Sequence, residues 1–341
     1  ITSIPSDLQF GGNLLVEFCE KLRHLPDSLT INGGLYGLAS HLEYLPQGLT
    51  VKESLFLENS MVKEIASDLK FGHSLVLTEC SSLAKLPDEL HVAGNLDLSS
   101  CLALEGLPRV LTVFGDFRAS ECKFKVLPVD LTLGGDVYLA NCTKLKKLPD
   151  SLARVNGDLI LHGCTKLRAL PANLKVSGYL GLSFCERLVS LPVGLQVGKS
   201  LWLRECNGLR RLPDDLTRVK GNLNLSDCSN LEALPTSLFV ECWLNLNRCT
   251  SLASLPDELH VGEGLCLSGC TNIVSLPANM IVGGDLDVGN CVNLNSLPAV
   301  ILCWPQIPYS RKVCIHGSGL SVESKEWLEG YNGSHVAFDN D

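Results

Sequence analysis

What is missing from this 341-residue chain narrows its function before anything present is read. No apolar run approaches the ~20 residues of a membrane-spanning helix, and no signal peptide is visible. The first residue is Ile1 rather than Met and the last is Asp341, so we expect a piece of a longer protein. There is no GxSxG turn, no phosphate-cradling glycine loop, no HExxH and no recurrent pair of glutamates. Nothing here argues for catalysis, so no catalytic residue and no cofactor are expected. No CxxC pair recurs among the 16 cysteines, which disfavours zinc. No helical pattern of useful length interrupts the first 298 residues.

What is present is a repeat. Fifteen Ile/Leu-Pro or Ile-Ala marks, from Ile4-Pro5 and Leu25-Pro26 to Leu276-Pro277 and Leu297-Pro298, recur every 20 to 22 residues and enclose fourteen copies of one unit. So short a unit cannot bury its own apolar face, so it must stack on its neighbours as a solenoid. Gly94 to Pro108 shows how. Leu96 and Leu98 alternate with Asn95, Asp97 and Ser99, a short strand with one face inward. Cys101, Leu104 and Leu107 follow at wider spacing as the chain turns. Pro108 favours an extended or tight-turn return, which runs through Leu111 and Val113. A glycine recurs at the corner before the strand (Gly94, Gly115, Gly135), where open φ/ψ space is expected to allow the turn. Length changes fall at corners, which leaves the strand register intact.

The run LxLxxCxxLxxLPxxL resembles the leucine-rich-repeat superfamily over residues 1–298. The cysteine at the turn resembles plant immune-receptor repeats, and the short LPxxL return resembles the repeats of bacterial effectors. The resemblance implies a binding scaffold, with a virulence or immunity role in those settings. As an alternative it implies the substrate-recognition part of a ubiquitin ligase, with the catalytic domain elsewhere. The expected fold is a curved right-handed horseshoe, nearly all β, with one parallel sheet of about 14 strands on its concave face. A capping segment is expected over 299–341, with a strand within Arg311–His316 and a short helix from Ser321, its N-cap, to Gly330. The domains are thus 1–298 and 299–341.

Twelve cysteines occupy the turn position, from Cys19 and Cys80 to Cys291, with Ser40 and Ser60 in the same slot. Identical parallel rungs give each thiol two equivalent neighbours and no dedicated mate. We therefore expect buried free thiols bonding to backbone. Free thiols suit a reducing, cytoplasmic compartment, which for a bacterial effector is the host cytosol after secretion.

Function should reside in the outward strand positions, which the fold does not need. Leu15, Tyr36, Phe56 and Val76 form one apolar band, and exposed patches of this kind mark interaction sites. Tyr179, Phe184, Trp202 and Trp243 form a second cluster, and aromatics dominate interface hot spots. With Tyr138, Arg204 and Glu205 these make the candidate binding set. Twelve acids occupy outward strand positions against Arg118, Arg204 and Arg248, an excess of nine that equals the formal net charge of −9. Basic residues such as Lys123, Lys146, Lys147 and Arg211 instead follow the turns. A negative face attracts a basic protein partner and repels nucleic acid, and a monomer is expected. Asp116, Asp136 and Asp158, just after the corner, read as caps for turn amides rather than a calcium site.

Overall fold

The computed structural model describes residues 1–6, 8–298, 312–330 and 336–337. It separates into two compact units, residues 1–167 and 168–341. The boundary expected at 298/299 adjoins residues outside those described.

In the first unit each repeat contributes one two-residue strand. In chain order they are Leu14–Leu15, Leu35–Tyr36, Leu55–Phe56, Leu75–Val76, Leu96–Asp97, Phe117–Arg118, Val137–Tyr138 and Leu159–Ile160, each parallel to the next. Register follows the repeat: Leu96 pairs with Leu75 and Phe117, so every inward apolar residue stacks on its equivalent. The second unit repeats the scheme from Leu180–Gly181 to Leu286–Asp287. Val313–Cys314 and Val336–Ala337 extend its sheet.

The core is the stack of these inward residues. Leu96, Leu98, Cys101, Leu104, Leu111 and Val113 are fully buried, and the same slots are buried along both units. Each buried leucine stabilises by about 1.5–3 kcal/mol, and none does so without the neighbouring rung. Leu107, expected inward, is only half-buried.

The return segments hold a feature the sequence reading passed over. Glu89–Val92, Val110–Val113 and Asp130–Leu133 pair as a second parallel sheet in the first unit, with Leu90, Leu111 and Leu131 in register. Four return strands, Arg218–Val219 to Ile281–Val282, do the same in the second. Their alternation, as in Leu111-Thr112-Val113, was the available signal. Helix is confined, among the described residues, to a 3-10 turn at Asp150–Leu152 and the helix Val322–Gly330. Ser321 caps that helix, its Oγ accepting the Ser324 N–H at 3.2 Å.

The cysteines behave as a column of donors. Cys101 Sγ donates to the Leu77 carbonyl at 3.1 Å, and Cys122, Cys142 and Cys164 repeat the bond to Leu98, Ala119 and Leu139. All described cysteines are free. Burial pushes the thiols of Cys122, Cys164, Cys228 and Cys270 up to about 12, because a thiolate there would lose its water. The expectation fails at the first rungs. Cys19 is only half-buried. Ser60 Oγ meets Cys80 Sγ at 3.3 Å rather than backbone, and the buried Ser40 hydroxyl has no partner.

The corner glycines are also corrected. Gly94, Gly115 and Gly135 do not have positive φ. Their constraint is proximity: a Cβ on Gly135 would lie 2.8 Å from the Gly115 carbonyl group of the preceding rung. Left-handed backbone occurs instead just before the turn cysteine, and mostly without glycine. Glu79, Ser100, Glu121, Phe184, Glu205, Asp227 and Arg248 all adopt it, with φ between 57 and 65°.

Candidate binding surface

The outward face of the strands is built on a side-chain ladder. At the residue before most of the strands, a side-chain oxygen accepts the N–H of the equivalent residue one rung on. Ser74 Oγ takes Asn95 N–H, Asn95 Oδ1 takes Asp116, Asp116 takes Asp136, and Asp136 takes Asp158, at 2.8–3.0 Å. The amide-capping reading therefore holds for Asp116 and Asp136. Their second oxygens are used too, by Arg118 on Asp116 (3.1 Å) and the Tyr138 hydroxyl on Asp136 (3.0 Å).

In the first unit the expected residues lie on this face in two places. Tyr36 and Phe56 stack with ring centroids 5.1 Å apart and planes 14° from parallel. Beside them Leu15 is exposed and Val76 half-buried. Tyr138 lies under the Arg118 guanidinium, 4.3 Å from its ring centre. Burial and the Asp136 carboxylate raise the Tyr138 phenol above its ordinary value. Glu17, Glu58, Glu79, Asp97, Asp116, Glu121, Asp136 and Asp158 stand here against Arg118 alone.

The second unit gathers the remaining candidates. Tyr179, Phe184, Trp202 and Trp243 are 39, 40, 37 and 38% exposed, high values for side chains of this size. Trp202 pairs in register with Gly181 and Asn224, and Asn224 with Asn245. Trp243 occupies the ladder column and its indole lies against Gly264, which leaves no room for a Cβ. Lys199 sits 4.8 Å from the Tyr179 ring centre, and Arg204 sits 5.8 Å from that of Phe184.

Charge on this second face is largely cancelled. Arg204 reaches Glu205 at 3.3 Å and Asp227 at 3.2 Å. Arg248 donates two hydrogen bonds to Asp227, one of them Nη2 to Oδ2 at 3.0 Å. Arg248 foremost, with Arg204, holds the Asp227 carboxyl below the ordinary carboxylate range. The acidity expected of one continuous face thus concentrates in the first unit, and the exposed aromatic cluster lies in the second. Asn222, Asn224, Asn245 and Asn247, which surround Trp202 and Trp243, were passed over in the sequence.

A 20–22-residue repeat with one parallel strand per copy on the main sheet, an inward Leu-x-Leu and a turn cysteine bonded to the preceding rung is a solenoid fold of leucine-rich-repeat type. Two solved structures are distantly similar to the chain. One is a leucine-rich repeat protein from Bacteroides ovatus, 18% identical with TM-score 0.43, covering 86% of this chain and 84% of that one. The other is a leucine-rich repeat protein from Leptospira interrogans, 14% identical with TM-score 0.27, covering 99% and 93%. No protein-family profile and no curated protein matches the chain.

Proposed function

We propose that the chain is a protein-recognition scaffold whose anchoring contacts lie on the sheet face of the second unit. One observation carries this reading. Trp243 stands in the column where most rungs use a small side-chain acceptor to hold the next rung, as Ser200 holds Asn222 at 2.9 Å. Its indole is donor-only and supplies no acceptor there, so the ladder gives no reason for this residue. Large exposed aromatics with little side-chain entropy to lose are the usual anchors of interfaces. The acidic face of the first unit supports a partner that carries basic groups, chiefly by speeding approach. Rungs ~4.8 Å apart put neighbouring turn cysteines within the Cα spacing a disulfide accepts. Keeping them as thiols supports work in a reducing compartment.

The test is affinity capture of partners, followed by titration of a captured partner against an alanine panel. Trp202→Ala and Trp243→Ala are expected to cost about 2 kcal/mol each. Lys146→Ala and Lys147→Ala, on the turn flank, should leave affinity within about twofold, a change below ~0.5 kcal/mol. The reverse result would move the binding surface to the basic flank.

A further inference from the structure

The four asparagines around the exposed tryptophans carry an inference that rests on the recognition reading and names its ligand chemistry. Each has its oxygen committed to backbone. Asn222 Oδ1 accepts the Trp243 N–H at 3.0 Å, Asn224 the Ser226 N–H at 2.9 Å, Asn245 the Asn247 N–H at 3.0 Å and Asn247 the Ser268 N–H at 2.8 Å. That fixes the flip of every amide. The four side chains are half-buried, and among the described residues none of their Nδ2 groups donates to an acceptor of the protein.

The fold does not require asparagine at these places. Asp97 and Asp287 fill the slot of Asn224 and Asn245 in other repeats, and make the same bond to Ser99 and Gly289 at 2.9 Å. What asparagine adds over aspartate is a neutral N–H donor. Of the carboxylates nearby, Asp227 has both oxygens held by Arg204 and Arg248, and Glu205 has one oxygen held by Arg204. An indole N–H is likewise donor-only. The surface is aromatic and offers donors with few free acceptors.

We propose that this face takes a proline-rich segment in the polyproline II conformation. Such a segment displays carbonyl acceptors that have no internal partners, and each proline lacks the N–H that would need an acceptor. Its pyrrolidine rings are flat apolar bodies suited to aromatic side chains, the mode by which known proline-rich motifs dock. An ordinary extended peptide brings one N–H per residue, and a sugar brings several hydroxyl hydrogens per ring. This face has few acceptors for either.

The experiment is calorimetric titration of the whole chain with acetylated decaproline amide. A Gly-Ser decamer and cellohexaose serve as comparators. Saturable binding of decaproline alone is expected. Asn224→Asp and Asn245→Asp retain the structural oxygen and delete the donor, so they should melt like the wild type and each weaken binding roughly tenfold. Trp202→Ala and Trp243→Ala should abolish it. No saturation with decaproline, equal affinity of the Asn→Asp variants, or preference for cellohexaose overturns the proposal. If decaproline fails while captured partners still depend on the tryptophans, the ligand chemistry falls and the recognition reading stands. If partner binding ignores the tryptophans, both fall.

Discussion

The first unit surrounds Tyr138 with carboxylates and ties them into an unbroken ladder from Ser74 to Asp158. The second unit places Trp243 in the same column, beside asparagines and paired charges. Core slots are alike in both, so the core does not produce the difference. It arises only at outward positions, where a solenoid can change chemistry from rung to rung without disturbing its stack. Under the function proposed above, one face would serve long-range attraction and the other close contact.

Alkali should give the largest effect and test whether the units share a core rule beneath different faces. An unfolded thiol ionises near pH 8.5, whereas buried Cys164 and Cys228 are held up to about 12. The unfolded chain therefore loses protons first. Stability is complete below about pH 8.5 and falls as pH rises toward 12, by about 1.4 kcal/mol per pH unit for each such thiol. Urea midpoints between pH 8 and 11 should fall less steeply in Cys228→Ser and more steeply in Ser60→Cys. Unchanged slopes in both would show that the thiols remain protonated or become exposed without unfolding.

A smaller effect should separate the faces. Asp136→Ala strands the Asp158 N–H and the Tyr138 hydroxyl, and a loss of about 1–3 kcal/mol is expected in denaturant melts. Asp136→Asn keeps an acceptor and should cost less than about 1 kcal/mol. If Asp136→Ala melts like the wild type, the ladder does not organise the first unit's face.

The smallest effect has opposite signs in two assays. Phe184 is left-handed at φ 63°, and Glu79 at φ 62°. Glycine at either site should raise stability by about 1 kcal/mol, read as a higher Tm. Only Phe184→Gly should also weaken a partner held by the second unit. Equal loss of affinity from Glu79→Gly would erase the distinction between the units.

The fold was legible because periodicity is a long-range signal repeated fourteen times. Leu96, Leu98 and Cys101 in one copy predicted the burial of their equivalents in nearly all the others. The aromatic candidates were legible as well, since a tryptophan at an outward strand slot is conspicuous. Asn224 and Asn245 were not. In sequence an asparagine and an aspartate are two polar letters, and only the Ser226 and Asn247 N–H groups reveal which end of the amide faces solvent. The corner glycines misled for a related reason. Gly135 answers to an atom of the preceding rung, which no local rule of φ and ψ can anticipate. The cancelling of Glu205 and Asp227 by Arg204 and Arg248 likewise depends on which residues become neighbours across rungs.

The residue before each turn cysteine offers one more consequence. The same left-handed conformation is filled by phenylalanine, alanine, asparagine, glutamate, serine, glycine, aspartate and arginine. Its geometry is dictated by the turn and its identity is not. Each copy of the repeat therefore carries a site where substitution changes what is displayed and scarcely what is folded. A lineage can explore new specificities at such sites without first acquiring compensating mutations. A combinatorial library at positions 184, 205, 227 and 248 that omits proline and the β-branched residues, which the left-handed backbone disfavours, would retain the scaffold while sampling a broad chemical repertoire.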